Sequence, residues 1–206
     1  MSTSTTVAVR APADAPRLKI VLTGPFGIGK TTLVGAVSDI APLTTEAVMT
    51  AANTADDTTH TPAKTTTTVA MDFGRLEING VTVYVYGTPG QHRFWFMWDA
   101  IAHGAVGAVV LVDTRRLQES FRHLDYVENA GMPFVIAVNQ FPDGQIHPAD
   151  AIRDALAITA DVPVVTIDAR DRDSVRDLLI ALVEHVLTRT RTTPAKATAA
   201  SSPPTS

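Results

Sequence analysis

Residues 24–31 read Gly-Pro-Phe-Gly-Ile-Gly-Lys-Thr, a G-x-x-x-x-G-K-[ST] segment. The flanks constrain the fold as much as the segment does. Lys19-Ile20-Val21-Leu22 is a short, β-branched apolar run that predicts a buried strand. Thr32 to Ser38 carries Leu33, Val34 and Val37 at helical spacing. Strand, glycine loop and helix in that order is the setting in which such a loop cradles a phosphate chain. Gly24, Gly27 and Gly29 permit turns that a Cβ would block, so successive backbone N–H groups face inward. Lys30 is placed to reach β/γ-phosphates, where it counts as catalytic as well as binding, and Thr31 to offer its hydroxyl to Mg²⁺. Ile28 and Thr32 complete the nucleotide-contacting run, and the helix N-terminus adds a field that favours an anion. A chance glycine turn is the alternative. The Gly-Lys-Thr ending with these flanks is far more specific than a lone glycine repeat.

The two ends of the 206-residue chain differ from its middle. Residues 1–16 and 190–206 are rich in Ser, Thr, Ala and Pro without periodicity. Both are expected to be disordered tails, because they cannot bury enough apolar surface to offset ordering entropy. Residues 17–189 then form one domain of ordinary size. Net charge is −4, and no Lys/Arg-rich block occurs, which argues against nucleic acid as a partner. The absence of cysteine excludes disulfides, thiolate metal sites and cysteine-linked lipids. No apolar run reaches membrane length. The expectation is a cytoplasmic protein with no membrane anchor of its own, reaching a membrane only through a partner.

Beyond the first helix, residues 42–64 form a Thr- and Ala-rich stretch without clear period, expected to be a long functional or mobile loop. Val69, Met71 and Phe73 then alternate with smaller or polar residues. Asn79-Gly80 is a strong two-residue hairpin signal, and Val81–Tyr86 is the returning strand. Residues 104–113, 133–139 and 162–167 predict buried strands. Helices are expected over 116–130, 148–158 and 171–187. The order predicts an α/β fold: a doubly wound, six-stranded, mostly parallel sheet with helices on both faces. One antiparallel strand, near Ala70–Ile78, is expected at its edge. Ligands in such sheets bind at the carboxyl ends of the strands. The glycine loop, Gly87–Gln91, Asp113, Asn139 and Asp168 all map there.

Four strings carry a wider resemblance: Pro-Leu-Thr-Thr-Glu-Ala-Val-Met-Thr (42–50), Thr-Thr-Thr-Thr-Val-Ala-Met-Asp-Phe-Gly (65–74), Gly-Thr-Pro-Gly-Gln-His-Arg-Phe-Trp-Phe-Met-Trp (87–98) and Leu-Val-Asp-Thr-Arg-Arg (111–116). With the glycine loop, they make residues 17–188 resemble the Ras-like small GTPases with their P-loop fold. The resemblance is nearest to the small GTPases encoded in actinobacterial conservons. It implies GTP/GDP and Mg²⁺ as ligands, and partners of the roadblock type and the histidine-kinase-like type. It aligns Thr68 with the switch I threonine that closes over Mg²⁺ and the γ-phosphate, with the register open among Thr65–Thr68. It gives Gly90 a bond to the γ-phosphate and makes Gln91 the catalytic residue that orients the attacking water. Gly87 stands where the family has a Mg²⁺-holding aspartate. Asp72 or Asp113 could substitute, though a structural or capping role is the simpler reading of each. Arg75, Arg93, Arg115 and Arg116 are all candidates for an arginine finger, and none is singled out.

The base-reading segment departs further. Asn139 matches the family's N-K-x-D, Gln140 replaces the lysine, and Asp143 comes one residue late. An acceptor-only carboxylate there selects guanine over adenine. Asp168-Ala169-Arg170 matches the loop in which Ala169 N–H bonds guanine O6 and the Arg170 stem flanks the base. The dense Phe94–Trp98 cluster is expected to split between core and an exposed docking patch. His92, His103, His123, His147 and His185 read as surface or capping residues. Three functions follow: a GTP-hydrolysing signalling switch, slow without an activator; a non-hydrolysing nucleotide-binding scaffold; or a small P-loop kinase or ATPase with Val109–Asp113 as its second nucleotide-site strand.

Overall fold

The computed structural model describes residues 16–50, 66–90 and 92–192. Strand β1 (Arg17–Thr23) leads through the glycine loop into helix α1 (Lys30–Val37). Then follow β2 (Leu43–Thr50), β3 (Thr66–Ile78) and β4 (Val81–Gly87). A 3₁₀ turn (His92–Met97) runs into the short α2 (Trp98–Ala102). After β5 (Gly107–Val112), a second 3₁₀ segment (Thr114–Ser120) precedes α3 (Phe121–Asn129). The chain closes with β6 (Phe134–Asn139), α4 (Ala149–Leu156), β7 (Val164–Ile167) and α5 (Arg172–Thr192).

The strands form one sheet in the order β2-β3-β4-β1-β5-β6-β7. β1 lies parallel between β4 and β5, and β6 and β7 extend the parallel half. β3 runs antiparallel to both of its neighbours, so it alone is reversed. Alternation along the central strands builds two cores. Ile20, Leu22, Val109, Leu111 and Val135 face α1 and α5. Val21, Ala108, Val110, Val112 and Ile136 face α3 and α4. Period-two exposure of side chains explains the split, and burial on both faces explains why β5 and β6 are apolar throughout. Leu33, Leu178, Leu179 and Leu182 are all essentially fully buried. Each contributes roughly 1.5–3 kcal/mol of apolar burial.

Several expectations are corrected. The sheet has seven strands rather than six, because Leu43–Thr50, expected within a loop, pairs along β3 from Leu43↔Phe73 to Thr50↔Thr66. Threonine and valine suit an extended chain, and pairing supplies the order that the missing periodicity could not signal. β3 is therefore internal, not an edge. The helix expected over 116–130 begins only at Phe121, since the preceding segment breaks at Arg116. α5 continues to Thr192, past the Arg189 boundary. The Asn79-Gly80 turn is as expected, with both residues at positive φ and Ile78 paired to Val81. Among the described residues no helix is long and apolar enough to cross a membrane.

Candidate functional site

The carboxyl ends of β1, β4, β5, β6 and β7 converge on two adjoining cavities. The first, of about 320 Å³, is lined by the glycine loop and start of α1 (Phe26, Gly27, Gly29 to Thr32), by Asp72, and by Thr88 to Gly90. Lys30 is buried at its floor, and its ammonium donates to the carbonyls of Gly24 at 2.6 Å and Pro25 at 2.7 Å. Burial lowers its pKa to about 8, against an opposing pull from the Asp72 carboxylate. The α1 N-terminus opens on Gly29 at φ +106 with no side-chain cap, which leaves its first N–H groups available to an anion.

Of the two aspartates considered beside Gly87, Asp72 is the one at the cavity. Asp72 and Gly87 sit opposite each other in the β3–β4 ladder. Thr31 donates its hydroxyl to the Asp72 carboxylate at 2.8 Å. A Cβ on residue 87 would lie 3.2 Å from that carboxylate oxygen and 3.0 Å from the Asp72 Cβ. The carboxylate absent from position 87 is thus present in the same corner, delivered by the neighbouring strand, and glycine leaves it room. The register was available in the sequence: six residues back from Ile78 and six forward from Val81 bring Asp72 opposite Gly87. Asp113, the other candidate, is turned away. It accepts from the backbone N–H and guanidinium of Arg115 at 2.8–3.3 Å and caps the 3₁₀ segment, and the bond from Arg115 holds its carboxyl below the usual range.

The second cavity, of about 310 Å³, is lined by residues including Asn139, Gln140, Phe141, Pro142, Thr166, Asp168 and Arg170. Asn139 joins it to the first. Its amide nitrogen donates to Ile28 O at 3.0 Å, and its oxygen accepts from Ala169 N–H at 3.0 Å. A Cβ on Gly29 would come within 2.8 Å of that nitrogen, so glycine is required for the approach. Asn139 therefore pins both loops, and the Ala169 N–H, expected to face a base, is engaged by Asn139. Asp143, expected to read the base, is not in this lining; it is exposed and ion-paired with Arg115 at 2.9 Å. Asp168 is the carboxylate at the cavity wall, and hydrogen bonds from Arg170 lower its pKa to about 2. Gln140 contributes through its wall position and its backbone N–H to Ile167 O.

Gln91 and Thr65 lie outside the described residues. Thr68 lies on β3 opposite Val48, and its side chain is likewise outside them, as is that of Arg93. Arg75 sits on β3 opposite Tyr84, down the ladder from Asp72 toward the hairpin. The aromatic cluster splits as expected: Phe94 and Trp98 are buried, and Phe96 is exposed. Two histidines are corrected from surface to interior. His185 is buried, and His123 shares a hydrogen bond with Thr23 at 2.8 Å. Thr88 donates to that same Thr23 hydroxyl. Burial, helped by Lys30, pushes the His123 pKa down to about 3, so its ring is neutral.

Comparison with known proteins agrees with the architecture. The cytosolic domain of the T. maritima FeoB iron transporter in a GDP form superposes with a TM-score of 0.59 at 18% identity, over 82% of this chain and 63% of that one. The FeoB G-domain from Methanococcus jannaschii gives a TM-score of 0.56 at 19% identity, over 84% of this chain and 99% of that one. At these identities the likeness is one of fold, the P-loop G-domain. An uncharacterized protein of Methanocaldococcus jannaschii is 28% identical over 136 residues, which is 65% of this chain and 76% of the relative. The family described as conserved hypothetical ATP binding protein matches residues 22–189, from the end of β1 through most of α5. With that span and this nucleotide-binding P-loop fold, the chain belongs to that family.

Proposed function

We propose that this protein is a GTP-binding switch that hydrolyses GTP to GDP and phosphate, slowly unless a partner assists. The observation that carries the reading is the Lys30 cavity with the Thr31–Asp72 pair in its corner. A buried ammonium, free helix N–H groups and paired hydroxyl and carboxylate oxygens form a donor set for a magnesium-bound polyphosphate. Mg²⁺ would be held by Thr31 and Asp72, with Thr68 closing from β3 in the triphosphate state. The metal would bridge and neutralise the terminal phosphates. Gly90 would bond the γ-phosphate, and Gln91 would orient water as the resemblance implies. Loss of the terminal phosphate would release both segments.

Guanine is favoured because the base cavity carries the Asp168 carboxylate in its wall, whose oxygens, held by Arg170 in the free protein, would turn to the base when it binds. Such a group suits guanine N1–H and 2-amino donors. The solved FeoB neighbour was captured with GDP. The second reading, an ATP-binding protein, is favoured by the family's description and by the engagement of Asp143 outside the cavity. Bacterial signalling, with roadblock-type and histidine-kinase-like partners docking on the switch segments, follows the conservon resemblance; exposed Phe96 is a fitting contact.

Competition of labelled GTP by unlabelled GTP, GDP and ATP tests the base. Guanine nucleotides should displace the label at least about tenfold more effectively than ATP; equal or better displacement by ATP sinks the guanine reading. The metal corner is tested by Asp72→Asn. Mg²⁺ should tighten triphosphate binding in the parent, and the variant should lose about tenfold of that gain. Undiminished tightening in the variant excludes Asp72 from the metal site.

A further inference from the structure

The loop after β5 reaches across to the phosphate loop through one side chain, Arg116. The 3₁₀ segment loses helical geometry at this residue, where φ is −148 and ψ 49. Its Nη2 donates to the Phe26 carbonyl at 3.1 Å, across ninety positions of sequence. The same nitrogen lies 3.7 Å from where a Cβ on Gly27 would stand. Phe26 and Gly27 form the crest of the glycine loop and line the phosphate cavity. The guanidinium is shared between the loop carbonyl and two carboxylates, Asp113 and Glu119. Asp113 is already taken by four contacts from Arg115, and the approach of Arg116 Nε to it is long, at 3.4 Å. The contact with Glu119 is an exposed pair at 3.2 Å, of the kind that contributes little. Nη2 is the nitrogen given to the loop, while Nε and Nη1 face Asp113 and Glu119, which fix the side chain in that pose.

We propose that Arg116 is a positioning residue of the phosphate site: it braces the Phe26–Gly27 crest from outside and brings a positive charge to the loop that receives the polyphosphate. The proposal rests on the phosphate-cavity reading above. Chemistry supports this division of labour. A guanidinium from the end of β5 offers several fixed donors in a plane, and one can hold a carbonyl while the charge acts on a nearby anion. The brace holds the loop whether or not a third phosphate is present, so it should serve diphosphate and triphosphate alike.

The test is calorimetric titration of the full chain and of Arg116→Ala and Arg116→Lys with GTP, GDP and ATP, alongside their melting temperatures. Arg116→Ala should weaken the preferred di- and triphosphates by about tenfold or more, with melting unchanged within a few degrees. Arg116→Lys keeps the charge and one donor, so it should recover part of the loss. It also keeps the test decisive if the alanine variant does not fold. Binding by both variants within twofold of the parent overturns the proposal, as does a loss confined to the triphosphate. If the parent binds none of the three nucleotides, the phosphate-cavity reading itself falls and the proposal with it. A parent that binds while the variants match it refutes the role of Arg116 alone.

Discussion

At the scale of single residues, the site depends on charges placed where water is scarce. Lys30 is the sharpest case. Without a polyphosphate, burial lowers its pKa to about 8. The unfolded chain binds more protons than the fold between about 8 and the ordinary 10.5, so the free protein gains stability as pH rises through that window. Binding has the opposite sign. A polyphosphate favours the ammonium and raises its pKa, so the complex takes up protons near pH 8. Affinity should be full below pH 8 and fall as pH rises above it. Calorimetry in buffers of different ionisation enthalpy should reveal that uptake around pH 8, and its absence in Lys30→Met would assign it. The glycine loop made the position of Lys30 and Thr31 in the cavity lining legible from sequence. The place of Asp72 beside Thr31 was only half visible, because it depends on strand register rather than on any local motif. Asp143 misled for the opposite reason. Its spacing suggested a base contact, but Arg115 on a different loop captures its carboxylate.

At the scale of elements, polar contacts tie the loop after β4 to the far layer of the fold. Thr88 follows β4, Thr23 ends β1 and His123 belongs to α3; the three are buried and hydrogen-bonded in sequence. Trp98 packs its ring 4.9 Å from the His123 ring and donates to Pro89 O. Sequence reading placed His123 at the surface because a histidine in a polar-looking stretch, Arg122-His123-Leu124-Asp125, gives no hint of facing inward. The amphipathic turn of α3, with Leu124 and Val127 also buried, decides otherwise. The ring titrates near 6.5 when unfolded and at about 3 when folded. Its contribution to stability is therefore complete above pH 6.5 and is lost as pH falls toward 3. Replacing it with asparagine keeps a partner for Thr23 but removes the titration. The variant should melt lower at pH 7, by roughly 1–3 kcal/mol for lost packing, and show a shallower decline of stability between pH 6.5 and 3. An acid slope equal to the parent's would show that the ring is not held neutral. Strand β2 was invisible for a different reason: its order comes from the ladder with β3, not from an apolar rhythm of its own.

At the scale of the whole molecule, the sheet gathers loops from distant parts of the sequence onto one edge. Burial periodicity, the hairpin turn and the glycine loop made most of this architecture readable, because those signals are local. The coupling between the two cavities was not readable. Asn139 links Ile28 to Ala169 across more than a hundred positions, and that link is a property of the closed sheet. The account's central claim is that the Lys30 cavity receives the phosphate chain of a nucleoside triphosphate. It is tested most directly by isothermal titration of the full chain with GTP in Mg²⁺, set against Lys30→Ala. The account predicts one saturable site in the parent and at least about a hundredfold weaker binding in the variant. Equal affinity in the two proteins would contradict it.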